Sequence, residues 1–395
     1  MLPEIQREFA EKIYSDKKHE DILAKADALT GVHVEWRISE MPIFLSNEYR
    51  QKIEQYAIEI AELCLRPPHS VQAAQSLEPR YTVPHEDTKP MFVIADFALT
   101  GTAHDGFDAK LVELQGFPSL YAYQFAFSKL FCKHYGYDDY DYALSGLSDS
   151  SYLEILRSAI LGKHEPEDVI LTEYKPETQK TRPDFLLTQS MLGVRETDIC
   201  SLVKHGNRLF YSSNGTLHLV KRIYNRAIVD ELESEKATLP FAWTDELDVE
   251  WAGHPNWYFK ISKHSLPFLR HRAVPIAHFL DELDVVPHNL DDYVLKPLYS
   301  FAGKGVNIFP TESDISSIHP SERHGWLLQE KIRYAEAIYT PEGMNKAEIR
   351  VMMIWLPEAE RPVPVISLAR TGRGPMMGVR FNSAPWTGSN ICLFG

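Results

Sequence analysis

The stretch from Asp291 to Ile308, DDYVLKPLYSFAGKGVNI, constrains this chain more than any other. Tyr293, Val294 and Leu295 read as a short buried strand. Lys296 then breaks the apolar run, where a charge is costly without a partner. A loop of small residues follows, Ser300 to Gly305 with Gly303 and Lys304 inside it, and a second strand is expected at Val306–Phe309. Strand, lysine, glycine-rich turn and strand can lay backbone N–H groups and an ammonium charge over a polyphosphate. The loop is not a P-loop, which needs Ser or Thr directly after its Gly-Lys and leads into a helix. Here Gly305 follows Lys304 and a strand pattern comes next. An ordinary hairpin with a surface lysine fits the same letters.

At 395 residues the chain can bury a full core and hold two or three lobes. A net charge of −14 argues against a nucleic-acid partner, whose footprint is usually basic. Cys64, Cys132, Cys200 and Cys392 lie far apart without a C-x-x-C, the usage of reduced packing thiols in a cytoplasmic protein. No apolar run approaches the ~18 residues of a membrane span, and the N-terminus has no signal-peptide core.

Residues 1 to about 90 read as helical scaffold, with the clearest helix from Ser46 to Arg66, stopped by Pro67-Pro68. The pattern then changes. Met91–Leu99 is a strand with Asp96 inside it, and Lys110–Gln115 is a strand carrying Glu113 and Gln115. Side chains two apart on a strand share a face, so Glu113 and Gln115 can converge, and Asp96 can join them from a neighbouring strand. Two carboxylates and an amide oxygen suit Mg²⁺ with phosphates completing the shell. A solvated sheet face with one buried, hydrogen-bonded Asp is the competing reading.

Helices are expected at Leu120–Tyr135, Tyr152–Leu161 and after Thr181, with a strand at Val169–Tyr174, an alternation that suggests an α/β lobe. Asn214-Gly215 marks a hairpin turn, and Lys221, Arg222 and Arg226 read as a solvated face. Ser262 can cap a helix with Lys263 in its first turn, a lysine of interest only if it points at an anion. Trp326–Ile332 is a strand. Glu348–Trp355 and Val363–Arg370 are two long strands of one sheet. Arg350 and Arg370 need acceptors, and phosphate matches a guanidinium best; Glu348 and Glu336 are the structural alternatives. From Thr371 the chain is rich in Gly, Ser, Pro and Asn, with RTGRGPMMG read as a mobile loop. Zinc-protease, G-x-S-x-G and dinucleotide-binding motifs are missing.

Taken together, these pieces resemble the ATP-grasp superfamily. Their order, with the acidic set ahead of the lysines, is similar to its circularly permuted branch, which includes glutathionylspermidine synthase. Asp96 with Glu113-x-Gln115 is similar to that branch's Asp…Glu-x-Asn metal set. Lys263 and Lys296-Pro297 look like its two nucleotide lysines, and Ser300–Gly305 like its phosphate-covering loop. Gln329, Glu330 and Ile332 resemble the hinge strand that reads adenine. Two departures stand out. Gln115 replaces the Asn, and the Arg found two residues before the metal Asp is here Ile94, a role for which Arg350 and Arg370 are the replacements.

The resemblance implies a mixed α/β, α+β fold in which two sheet-containing lobes hold the nucleotide beside a helical N-terminal region. It divides the chain into a helical part (1–90), metal-ligand strands and helices (91–165), an α/β lobe similar to a pre-ATP-grasp domain (166–240) and the nucleotide-binding lobes (241–395). It also implies a ligase using ATP and Mg²⁺ that joins a carboxylate to an amine or thiol through an acylphosphate. The amine could be a polyamine or an amino acid. A catalytically silent nucleotide-binding protein on the same fold is the alternative.

Overall fold

The computed structural model describes residues 1–298, 305–378 and 381–395. Its centre is a seven-stranded sheet assembled from distant parts of the chain. Strand Ile43–Leu45 lies at one edge. Next come Gly388–Phe394, Val363–Gly372, Gly343–Ile354, Phe92–Thr102 and Gly106–Gln115, while Ile338–Thr340 pairs with the start of Gly343–Ile354. Only the Ile43–Leu45 pairing is parallel.

The apolar run Met91–Leu99 is explained by burial on both faces of this sheet. Val93, Ala95, Phe97 and Leu99 join Ile349, Val351 and Met353 against Ile53, Ala57 and Ile60 of helix Asn47–Leu63. On the opposite face the sheet has two halves. Phe92, Ile94, Met352 and Ile366 pack under Tyr121, Phe125, Tyr152 and Leu156 of helices Tyr121–Tyr135 and Asp149–Leu161. Farther along that same face stand Asp96, Glu113, Glu348, Arg350 and Arg370. The ladder pairs Asp96 with both Arg350 and Glu113, and Glu348 with Arg370.

A second sheet has four parallel strands in the order Glu250–Ala252, Arg222–Asn225, Val169–Glu173, Arg195–Asp198. The Asn214-Gly215 hairpin forms with both residues at positive φ, 49° and 78°. The third layer that matters is an antiparallel sheet of Ala277–Phe279, Trp326–Glu330 and Tyr293–Pro297, whose Val294, Lys296 and Gln329 share one face.

Several expectations need correction. Val306–Phe309 is not a strand. Only Asn307 bridges Leu295, with two 2.9 Å bonds, because the Asn307 side chain accepts from Phe309 N–H at 3.0 Å and turns the chain away. The first 90 residues are not all helical, since Ile43–Leu45 extends the central sheet. Of Lys221, Arg222 and Arg226, only Lys221 lies on a solvated face, exposed and paired with Asp168. Arg222 is buried, donating to the Ile160 and Ala159 carbonyls and to Glu250, and Arg226 is buried against Asp184. In RTGRGPMMG the first residues complete a strand, and Arg373 donates to Asn345, Glu342 and the Pro385 carbonyl. All four cysteines are free thiols. Among the described residues no helix is long and apolar enough to cross a membrane.

Candidate functional site

The polar half of the central sheet faces the Val294–Lys296–Gln329 face of the three-stranded sheet across a cavity of about 850 Å³. That volume is in the range of small-molecule sites. Asp96, Glu113, Gln115, Lys263, Lys296, Gln329, Glu330, Ile332, Arg350 and Arg370 all line it. Gly305 does not; it sits at φ +75° against Pro297. Ser300, Gly303 and Lys304 lie outside the described residues. Among the described lining residues, eight lysines and arginines stand against five carboxylates. The chain as a whole carries −14, so this one concavity is biased towards anions.

Each wall is built by local structure. The Phe92–Thr102/Gly106–Gln115 ladder shifts register beside Asp96: Asp96 faces Glu113, and Phe97 already faces Leu111. Val112 is therefore the extra residue of a bulge. Its carbonyl accepts from Lys296 Nζ at 3.4 Å. Lys263 opens a short 3-10 turn, Lys263–Phe268, whose Ser262 accepts from His264 N–H. The turn is pinned from below, with His69 linking the Cys64 carbonyl (2.7 Å) to Ser265 Oγ (2.8 Å).

Burial lowers the affinity of both lysines for their protons. Lys296 is pulled down to about 8, against the attraction of Glu113 and with help from the charge of Lys263. Lys263, 8% exposed, is lowered by burial against Glu113 and Asp230. Both ammonium groups thus feel the same carboxylate, and each would gain from an anion in the cavity.

The opposite wall is an ionic cluster. Asp96 accepts from Arg350 through Oδ1 (2.7 Å) and Oδ2 (2.8 Å) and from Arg370 at 3.0 Å. Burial pushes the Asp96 carboxyl up, but the two guanidinium groups outweigh it and hold it well below the usual carboxylate range. Arg370 also reaches Glu348 at 3.4 Å, and Glu348 accepts from the Tyr334 hydroxyl. Burial raises Glu348 despite Arg370. The acceptor of Arg350 is therefore Asp96, not Glu348 or Glu336. Tyr334, Trp36 and Lys180 also line the cavity and were not expected there. The chain offers no local signal for these three.

A nucleotide fits the residues present. Gln329 is 1% exposed, and neither its Nε2 nor its Oε1 has a partner among the described residues. It is the cavity-lining side chain with such orphaned atoms, and a base edge offers the donor and acceptor it lacks. A divalent cation fits more narrowly. Glu113 accepts from the Gln115 amide at 3.0 Å, which leaves the Gln115 carbonyl and the other Glu113 oxygen without a bond among the described residues, whereas Asp96 is committed to two arginines. The described residues contain no group of three or more acidic, His or Cys side chains placed to hold a metal.

No family model matches the sequence, and no curated protein matches it. Among solved structures, the chain is similar to a glutathione synthetase-like effector from Globodera pallida in its apo form, with a TM-score of 0.57, 13% identity and coverage of 98% of each chain. At that identity the likeness is one of fold, and along nearly its whole length this chain shares the fold of that effector.

Proposed function

We propose that this chain is an ATP-dependent ligase of the ATP-grasp type, joining a carboxylate to an amine or a thiol. The observation that carries the reading is the pairing, across one cavity, of a buried and a half-buried lysine, Lys263 and Lys296, and an orphaned glutamine with the Arg350–Arg370 pair. Bound ATP would supply a γ-phosphoryl group to the substrate carboxylate, giving an acylphosphate that the amine or thiol opens with release of phosphate and ADP. In this reading Lys263 and Lys296 hold the phosphates, and Gln329, Glu330 and Ile332 border the base. Arg350 and Arg370 face the transferring group, where fixed charge stabilises the transition state. Glu113 and Gln115 would hold Mg²⁺. The order of the segments, with Glu113 ahead of Lys263 and Lys296, supports the circularly permuted branch. The carboxylate and amine are small molecules or peptides, and the anion-biased wall suits the carboxylate.

The test is release of ADP from Mg-ATP in the presence of pooled amino acids, peptides and polyamines, with nucleotide affinity measured alongside. If Lys296→Ala binds ATP as tightly as the wild type, the site assignment fails. A second reading, nucleotide binding without turnover, is favoured by one observation: Ile94, where the permuted branch carries an arginine, is fully buried in an apolar cluster. It expects a thermal shift with Mg-ATP and no ADP from any substrate pair.

A further inference from the structure

Asp96 is 2% exposed and sits at the centre of the ionic cluster. Its Oδ1 takes Arg350 Nε, and its Oδ2 takes both Arg350 Nη2 and Arg370 Nη1, at 2.7, 2.8 and 3.0 Å. The Arg350 pair is bidentate, the strongest geometry available to these groups. A divalent cation on this carboxylate would have to displace an N–H and sit beside two permanent positive charges. Glu113, directly across the ladder, carries one bond from Gln115 and none from a guanidinium among the described residues. The arginines meanwhile keep donors for a ligand. Arg350 Nη1 and Arg370 Nε and Nη2 have no protein acceptor among the described residues, and both side chains line the cavity.

We infer that Asp96 is a positioning residue and not a metal ligand. It fixes Arg350 and Arg370 as a rigid pair of guanidinium groups that contact the phosphates, while any accompanying cation is held by Glu113 and Gln115. The inference rests on the reading of the cavity as a nucleotide site. It assigns the arginine pair the charge that Ile94 cannot supply.

Calorimetric titration of the full chain with ATP, once with Mg²⁺ and once with EDTA, separates the roles. Asp96→Asn is expected to weaken metal-free binding about tenfold or more, the loss of charged hydrogen bonds, and to leave the factor by which Mg²⁺ tightens binding unchanged. Glu113→Gln is expected to do the reverse. If Asp96→Asn instead abolishes the Mg²⁺ factor and leaves metal-free affinity intact, Asp96 is a ligand and the inference is overturned. Should Asp96→Asn fail to fold, the double variant Asp96→Leu/Arg350→Met replaces a buried ion pair with apolar side chains, a change proteins often tolerate. The same split is expected from it, and loss of the Mg²⁺ factor there would equally overturn the assignment. A wild type that binds no ATP under either condition overturns the nucleotide reading itself, and this assignment with it.

Discussion

Lys296 reaches the carbonyl of Val112 at 3.4 Å, and Val112 is the residue that bulges from the ladder beside Asp96. The contact joins the two walls of the cavity. It gives a half-buried ammonium group one acceptor among the described residues, too little to restore an ordinary lysine, and desolvation brings Lys296 down to about 8 against the pull of Glu113. Such a lysine is charged at pH 7 and loses its proton as the pH passes 8. ATP affinity should therefore fall between pH 7 and 9. At pH 8, binding should take up protons, seen as a binding heat that depends on the ionisation enthalpy of the buffer. Lys296→Arg should flatten the profile, because a guanidinium stays charged across this range. A wild-type affinity that is flat from pH 7 to 9 would sink the idea.

The same group should weaken the empty protein. Its folded pKa lies below the unfolded 10.5. The folded state thus disfavours the charged form, and the penalty is complete below about 8 and fades as the pH rises towards the unfolded value. Lys296→Met should raise unfolding stability at pH 7 by on the order of 1–3 kcal/mol, given about 1.4 kcal/mol per pKa unit, and lose that gain near pH 10. The same variant should bind ATP more weakly. Denaturant unfolding at the two pH values checks the first part and calorimetry the second.

How much of this was readable from the chain depended on distance. The Phe92–Thr102 strand, with Asp96 as its lone charge, follows from an apolar run too continuous for an exposed element. Asn47–Leu63 follows from its 3.6-residue pattern and the Ser46 cap, which accepts from Tyr49 N–H at 3.3 Å. The face shared by Glu113 and Gln115 follows from the two-residue period. What could not be read is pairing. Arg350 meets Asp96 across 254 positions, and no local pattern says which acceptor a buried guanidinium will find. Ile43–Leu45 is three residues long and becomes a strand only because Cys392–Phe394 offers it an edge. Arg222 and Arg226 sat in a basic-looking run, and their burial is decided by Glu250 and Asp184, far off in sequence.

Gln329 gives a third prediction. Two buried amide atoms without partners cost stability, about 1–3 kcal/mol for an unsatisfied group. Gln329→Leu keeps the volume and removes both. The empty protein should unfold at a higher denaturant concentration with an unchanged slope, while ATP affinity falls. If Gln329→Leu destabilises instead, the amide has a partner that the geometry does not show, and its place in a base-binding wall is lost.

The last prediction concerns what holds the site from behind. Helix Tyr121–Tyr135 begins with Leu120 at φ 61° and has no side-chain cap of its own. Asp184, on helix Arg182–Leu192, takes that place and accepts from Tyr123 N–H at 2.9 Å. Arg226 balances the charge at 3.1 Å and lies over the rings of Phe117 and Phe185. Phe117 belongs to the turn that leaves Gln115, so this buried pair anchors the end of the strand carrying Glu113 and Gln115. Asp184→Ala removes a helix cap and strands Arg226, which is 3% exposed. Losing one partner of a buried pair costs about 3–5 kcal/mol, so the variant should be strongly destabilised. Asp184→Leu combined with Arg226→Met removes both charges and should recover much of that loss, leaving chiefly the cost of the missing cap, about 1 kcal/mol. A double variant no more stable than Asp184→Ala would mean that the cap, and not the stranded charge, dominates the energy of this corner.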